Sequence, residues 1–345
     1  MNFAVCFAFI AVNFFGSMII TRTPFRISFV GGGSDLREFY SKHQGAVLST
    51  SINKYMYISS HKFFEEDKIR AKYSITETVE NIDDLKHDII REALKMVNIR
   101  GGVEVSSIAD IPAGTGMGSS SAFTVGLLHN LNAIKREYVS KEVLAEGACR
   151  MEIDVLKEPI GKQDQYAAAF GGLNIFRFNA NESVSVEPLH LKQEVYNQLQ
   201  DNLVLFFIGN ARKASDILIE QKANIVKADN FTVLKDMVAL VDELKDVLYK
   251  GNLDDFGKLL HQNWVMKQKL ASKISNDNIS DLYQLGLKNG ATGGKLLGAG
   301  GGGFILFYCH KEMQENLIKA IPARHFDFKF DQEGTKLIYF GDEWA

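Results

Sequence analysis

The sequence predicts an α+β protein of two lobes with glycine-rich loops in both. Three observations lead there. The chain has 345 residues, long for one core and comfortable for two domains. Strand and helix patterns are mixed as far as residue 200, whereas residues 215–288 carry helical periodicity. Glycines cluster at 31–33, 114–118 and 298–303, where they interrupt these patterns. The chain is 46% hydrophobic and 23% charged, as expected of a soluble globular protein. A formal net charge of -3 provides no broad field for nucleic acid or an anionic membrane, so any anionic ligand needs a local site. Three cysteines, Cys6, Cys149 and Cys309, are too scattered for a metal pair and too few for a disulfide framework. A reducing compartment, the cytoplasm, is expected.

The elements follow in order. "MNFAVCFAFIAVNFFGS", residues 1–17, is apolar without lysine or arginine. It lacks the positive region of an export signal and falls short of the ~20 apolar residues a membrane span needs. It is expected to be a start-site extension with Met18 as the functional start; a degenerate signal or anchor is the alternative. The strand "MIITRTPFRISFV" puts Phe25, Ile27 and Phe29 on one face, Arg26 and Ser28 on the other. "AVLSTSINKYMYISSHKFF" reads as strand, and "DDLKHDIIREALKMVN" as an amphipathic helix. A short strand lies within "RGGVEVSSIADIP".

The serines after Gly118 open a helix with Phe123, Leu127 and Leu131 on one face. Residues 141–157 form another, with Leu144, Ala148, Met151 and Val155 as its buried stripe. Strand-like "LNIFRF" and "NLVLFFIG" follow "GKQDQYAAAFGG". Phe231, Leu234, Met237, Val241, Leu244 and Leu248 mark a long helix in the second half. Glycine-rich "GATGGKLLGAGGGGF" ends the helical stretch, before strand-like "FILFY". A lobe boundary is expected between 200 and 201, giving lobes 18–200 and 201–345.

"PAGTGMGSSSA", Pro112 to Ala122, is the chemically informative loop. Glycine allows tight bends and close approach to a ligand. Free amides at a helix start, aided by its dipole, favour an anion. Pro112, Gly114, Gly116, Gly118, Ser119, Ser120 and Ser121 are therefore candidate phosphate ligands; a serine-capped helix is the simpler structural alternative. "GAGGGG" at 298–303 satisfies a dinucleotide pattern literally, but a strand follows it where a helix is required. Close packing against another loop explains it equally well. In "FVGGGSDL", Asp35 could bind sugar hydroxyls or cap the helix beginning near Leu36.

Together "TPFRISFVGGGSDL", "PAGTGMGSSSA" and "KLLGAGGGGF" resemble the three motifs of the GHMP kinases, in order and spacing across residues 18–310. Within that superfamily the chain looks most like bacterial D-glycero-D-manno-heptose 7-phosphate kinases. The sugar kinase half of bifunctional fucose-salvage enzymes is also similar. The resemblance implies a ribosomal-protein-S5-type amino-terminal lobe with a left-handed βαβ crossover, and a ferredoxin-like carboxy-terminal lobe. It implies ATP and Mg²⁺, with the anomeric hydroxyl of a heptose 7-phosphate as acceptor and the 1,7-bisphosphate as product. A fucokinase-like sugar-1-kinase and an inactive sugar-binding regulator of the same fold are the alternatives. The expected partners are ATP and a sugar phosphate, without nucleic acid or membrane, and a homodimer is compatible with the pattern.

Residue roles are carried over on the matching motifs. Asp164 of "GKQDQY" is the expected base, and Arg26 the cation that favours its ionised form or steadies charge near the attacking oxygen. Glu152, with Asp154 as the alternative, and Ser120 are expected to hold Mg²⁺, leaving Ser119 for phosphate. Asp35, Gly32, Gly33, Ser34, Gly300 and Gly301 are expected at the sugar. Lys162, Lys54 and Arg212 are candidates for its phosphate, though each is individually an ordinary surface charge. His129 reads as a core histidine, and Trp264 with Lys267 as packing on one helical face.

Overall fold

The computed structural model describes residues 18–209 and 214–341. The expected start-site extension, residues 1–17, and Arg212 lie outside them. The first sheet grows from two long strands, β1 (Ile19–Val30) and β2 (Gly45–Lys62), paired antiparallel from Ile19–Ser60 to Val30–Leu48. The short helix α1 (Arg37–Tyr40) lies between them. Phe25, Ile27 and Phe29 are buried, as their alternation predicts. Arg26 and Ser28 on the other face are buried too, because that face is roofed by the glycine-rich loop at 112–118 and by the second lobe.

β3 (Ile69–Lys72), β4 (Thr76–Val79) and β5 (Val103–Ala109) extend the sheet to the order β13-β1-β2-β5-β3-β4. β6 (Leu173–Phe178), β7 (Val184–Pro188) and β12 (Phe330–Asp331) join off that path, and β13 is Lys336–Phe340. Residues beyond 330 thus return to the first sheet, pairing with β1 and β2. A division of the chain at residue 200 has to allow for that return.

The first-lobe helices are α2 (Asp88–Met96), α3 (Ser119–Ile134), α4 (Lys141–Cys149) and α5 (Gln163–Phe170). α2 starts later than its apolar pattern suggests: residues 82–84 form a separate 3₁₀ turn, and His87 caps the helix proper. The helix expected over 141–157 is also corrected. α4 passes into a π-helical turn over Arg150–Val155. Leu156 N donates to Met151 O five residues back, so Leu156 takes the inward position expected for Val155, which is exposed. π turns of this kind are frequent at functional sites, and this one carries Glu152.

The second sheet has the order β11-β8-β10-β9, from β8 (Leu203–Phe207), β9 (Ala291–Leu296), β10 (Phe304–Cys309) and β11 (Arg324–His325). With helices between β8 and β9 and between β10 and β11, this is the ferredoxin-like order that was expected. β9, "ATGGKL", was not foreseen as a strand. Its Gly293 leaves room for the Gly257 backbone of an overlying helix. The helices are α6 (Gln193–Asp201), α7 (Ala214–Ile225), α8 (Ala228–Lys250), α9 (Leu253–Lys267), α10 (Asp277–Lys288) and α11 (Gln314–Ala320). Leu240, Leu244 and Leu248 of α8 pack into the first core, while Leu234 and Met237 enter the second. The lobes therefore share apolar contacts along α8. Among the described residues no helix is long and apolar enough to cross a membrane.

Candidate active site

The candidate phosphate loop runs from Pro112 into α3. Gly114, Gly116 and Gly118 all have φ between +70° and +85°, where side chains are strained. Gly116 faces the second glycine run: a Cβ on it would lie 2.6 Å from Leu297 O, and Gly298 abuts it in turn. The run at 298–303 is thus a backbone partner of the phosphate loop, as the packing alternative proposed. Gly118 is the N-cap of α3, and no side chain caps that end. The serine-cap alternative is set aside, since the three serines sit inside the helix. What remains is a 16-residue helix whose first amides face out beneath a glycine loop, a cradle suited to an anion.

Ser120 and Ser121 point down the other side of that helix start. Their hydroxyls donate to Glu152 Oε1 and Oε2, each at 2.8 Å, and Gln165 Nε2 donates to Oε2 at 2.7 Å. Glu152 is fully buried, and burial raises its pKa to about 7 against the pull of these three hydrogen bonds. Asp154, the alternative ligand, is half-exposed and pairs with Arg37.

β1 and α5 meet at the loop's end. Arg26 forks onto Asp164, with Nε–Oδ1 at 2.7 Å and Nη2–Oδ2 at 2.9 Å, and its Nη1 donates to Gly116 O at 2.7 Å. Its backbone N–H donates to Met117 O. One arginine therefore fixes a carboxylate to the phosphate loop by a planar fork that lysine could not reproduce. Asp164 stays partly open, and the two side chains line a cleft with Asp35, Gly32, Gly33 and Lys267. Asp35 is buried and accepts from the amides of Gly33 (3.0 Å) and Gln163 (3.3 Å). It does not cap α1, whose N-cap Leu36 receives no side-chain bond. Burial, and then the nearby Asp164 charge, push its pKa upward.

The structure thus brings together a buried carboxylate bound to two serines beside an uncapped helix start, and a second carboxylate held by an arginine at the cleft. Comparison with known proteins decides the family. The amino-terminal domain of the GHMP kinases matches residues 85–172, and their carboxy-terminal domain matches residues 243–327. A D-glycero-alpha-D-manno-heptose 7-phosphate kinase of Campylobacter jejuni is 30% identical over 336 residues, covering 92% of this chain and 98% of that protein. The chain belongs to the GHMP kinases.

This GHMP kinase is a sugar kinase, a phosphotransferase whose family takes phosphate from ATP. A bifunctional fucokinase/GDP-fucose pyrophosphorylase of Arabidopsis thaliana is 24% identical over 334 residues, 88% of this chain but 31% of that protein. The solved D-glycero-D-manno-heptose 1-phosphate kinase of Bacteroides thetaiotaomicron superposes with a TM-score of 0.77. It covers 95% of this chain and all of that one, at 23% identity, and shows the shared fold.

Not every expected site residue of the GHMP kinase reaches the cleft. Ser34 is wholly buried, its single hydroxyl proton shared between Gly31 O (2.8 Å) and Ala46 O (3.0 Å) while its oxygen accepts from Ala46 N, so it builds the turn. Gly300 and Gly301 back onto Ile274, whereas Gly298 and Ala299 line the cleft. Lys162 is turned to Glu182, with Nζ–Oε2 at 2.5 Å and a bond to its carbonyl. Lys54 lies over the ring of Phe326. Ser119 opens α3 beside Ser120.

Lys267 was read as packing, and that is corrected. It is 5% exposed at the end of α9, lines the cleft, and donates to Gly298 O. Burial, followed by Arg26, lowers its pKa to about 8. Lys295 lies deeper, donating to Ser28 O at 2.7 Å, and burial depresses its pKa as well. A lysine in step with Phe256, Leu260 and Trp264 on a buried helical stripe was the available signal for Lys267. Trp264 is core, as read, whereas His129 is only half-buried, beside Thr335.

Proposed function

We propose that the protein transfers the γ-phosphoryl group of ATP to the anomeric hydroxyl of D-glycero-D-manno-heptose 7-phosphate, giving the 1,7-bisphosphate. The observation that carries this reading is Asp164, held by the Arg26 fork against the phosphate loop and open to the cleft. The named heptose 7-phosphate kinase relative supports the choice of acceptor.

In this mechanism the phosphates lie on the α3 amides and the loop backbone, and the sugar lies over Gly32, Gly33 and Asp35. Asp164 accepts the proton of the anomeric hydroxyl as its oxygen bonds to the γ-phosphorus. The bond from that phosphorus to the β–γ bridging oxygen breaks, and ADP leaves with the electron pair. Arg26 keeps the carboxylate aimed and offsets charge near the attacking oxygen.

The residues present fit Mg²⁺. A hard cation suits a buried carboxylate whose contacts are hydroxyls and an amide, and it commonly takes one or two carboxylates plus substrate phosphates. Glu152 and Ser120 would hold the ion, which when bound neutralises triphosphate charge.

A fucokinase-like reading, with an unphosphorylated sugar as acceptor, is favoured by one observation: Lys162, expected at the sugar phosphate, is committed to Glu182. A panel of sugars and sugar phosphates assayed for ATP consumption, with phosphorus NMR of the product, separates the two. The primary reading expects turnover with the heptose 7-phosphate and a new phosphate at the anomeric carbon. Preference for an unphosphorylated sugar would replace it with the second.

A further inference from the structure

The cleft is closed from the second lobe by α7 and α9, and those helices bring polar atoms that the transfer mechanism does not use. Gln221, on α7, is 2% exposed, and its amide nitrogen lies over Gly33, where a side chain would collide with it. That nitrogen has no hydrogen-bond partner among the described residues. The amide oxygen of Gln163, across the cleft on α5, is likewise buried and unpartnered. Lys267, on α9, spends one hydrogen bond on Gly298 O and forms no ion pair among the described residues, although an ammonium carries three donors. Buried polar groups are nearly always satisfied, and each one left alone costs stability. An orphaned amide donor, an orphaned amide acceptor and an under-used ammonium around one cleft are complementary to hydroxyl groups, which both accept and donate, that a ligand would bring.

We propose that Gln221 and Lys267 bind oxygens of a polyhydroxylated acceptor close to its reacting hydroxyl, while Gln163 accepts a hydrogen bond from one of its hydroxyl groups. This rests on the sugar kinase reading and deepens it. The first lobe supplies base and phosphate loop; the second lobe selects the acceptor. The chemistry called for is specific. A donor pair (amide N–H and ammonium) and an amide acceptor suit a vicinal diol, whose hydroxyls can accept and donate. An apolar alcohol would leave all three unpaired.

The test combines two variants with deoxy acceptors. Gln221→Leu removes the amide at similar volume, and Lys267→Met does the same for the ammonium. Each is expected to raise the acceptor KM about tenfold, the size of one or two lost hydrogen bonds, with the KM for ATP within about twofold, less than one typical hydrogen bond. Gln221→Leu is also expected to raise the thermal midpoint of the ligand-free protein by about 2 °C or more, because a buried orphan disappears. A purely structural role predicts a fall instead. One deoxy acceptor should lose affinity on the wild type and lose nothing further on Gln221→Leu, the signature of a shared contact. Equal deoxy penalties on both proteins, or an unchanged acceptor KM in both variants, would overturn the inference while leaving the kinase reading standing. No ATP consumption by the wild type with any polyol would overturn that reading, and the inference with it.

Discussion

Lys267 and Glu152 bear opposite charges in the ionised state, and burial drives each toward neutrality, to about 8 and about 7 respectively. For Lys267 the sign of the resulting pH dependence is clear. Its value falls from 10.5 in the unfolded chain, so between about 8 and 10.5 the unfolded state holds a proton that the folded state has lost. Stability therefore rises with pH across that window, and the penalty of the buried ammonium is full below it. Lys267→Met should raise the thermal midpoint clearly at pH 7 and much less at pH 10. Equal gains at both pH values would show that Lys267 is not buried in its charged form. Arg26 and Asp164 illustrate what a motif can carry: the resemblance named both, and the structure joins them by a two-point fork. Lys267 and Gln221 had no motif, because a lone polar residue on a helical stripe reads equally as packing.

At the scale of elements, the phosphate loop depends on two glycines for different reasons. Gly114 and Gly116 share positive φ, which costs an L-residue about 1–2 kcal/mol. Only Gly116 would also drive a Cβ into Leu297 O, whereas nothing lies within 4 Å of a Cβ at Gly114. Gly116→Ala should therefore lower the thermal midpoint by several degrees more than Gly114→Ala, and raise the KM for ATP more, read by melting and steady-state assays. Matching losses would mean that the contact with the 298–303 run does not support the loop. The opening of α3 was legible because glycine and serine chemistry at a helix start is local. The π turn at 150–155 was not. Periodicity assumes a constant turn, and one widened turn moved Leu156 into the place expected for Val155. β9 escaped for a related reason: its Gly293 answers to the backbone of α9 and its Gly294 to Leu306 O and the Phe307 ring of β10, contacts that sequence spacing does not display.

Across the whole molecule, the site is assembled from both halves of the chain. Arg26, Asp35, Glu152 and Asp164 come from the first, Gln221 and Lys267 from the second. The two-lobed architecture was legible from length, the change of periodicity and the glycine segments. The return of β12 and β13 to the first sheet was not, since short strands at a chain end carry little pattern. The account turns on one carboxylate at the junction of loop, strand and helix. Its most direct test is single-turnover phosphoryl transfer by Asp164→Asn, with ATP binding measured on the same preparation. The predicted result is a rate reduced by about 10²–10⁴-fold with ATP affinity nearly unchanged. Transfer within tenfold of the wild type would remove Asp164 from the role of base and contradict the mechanism.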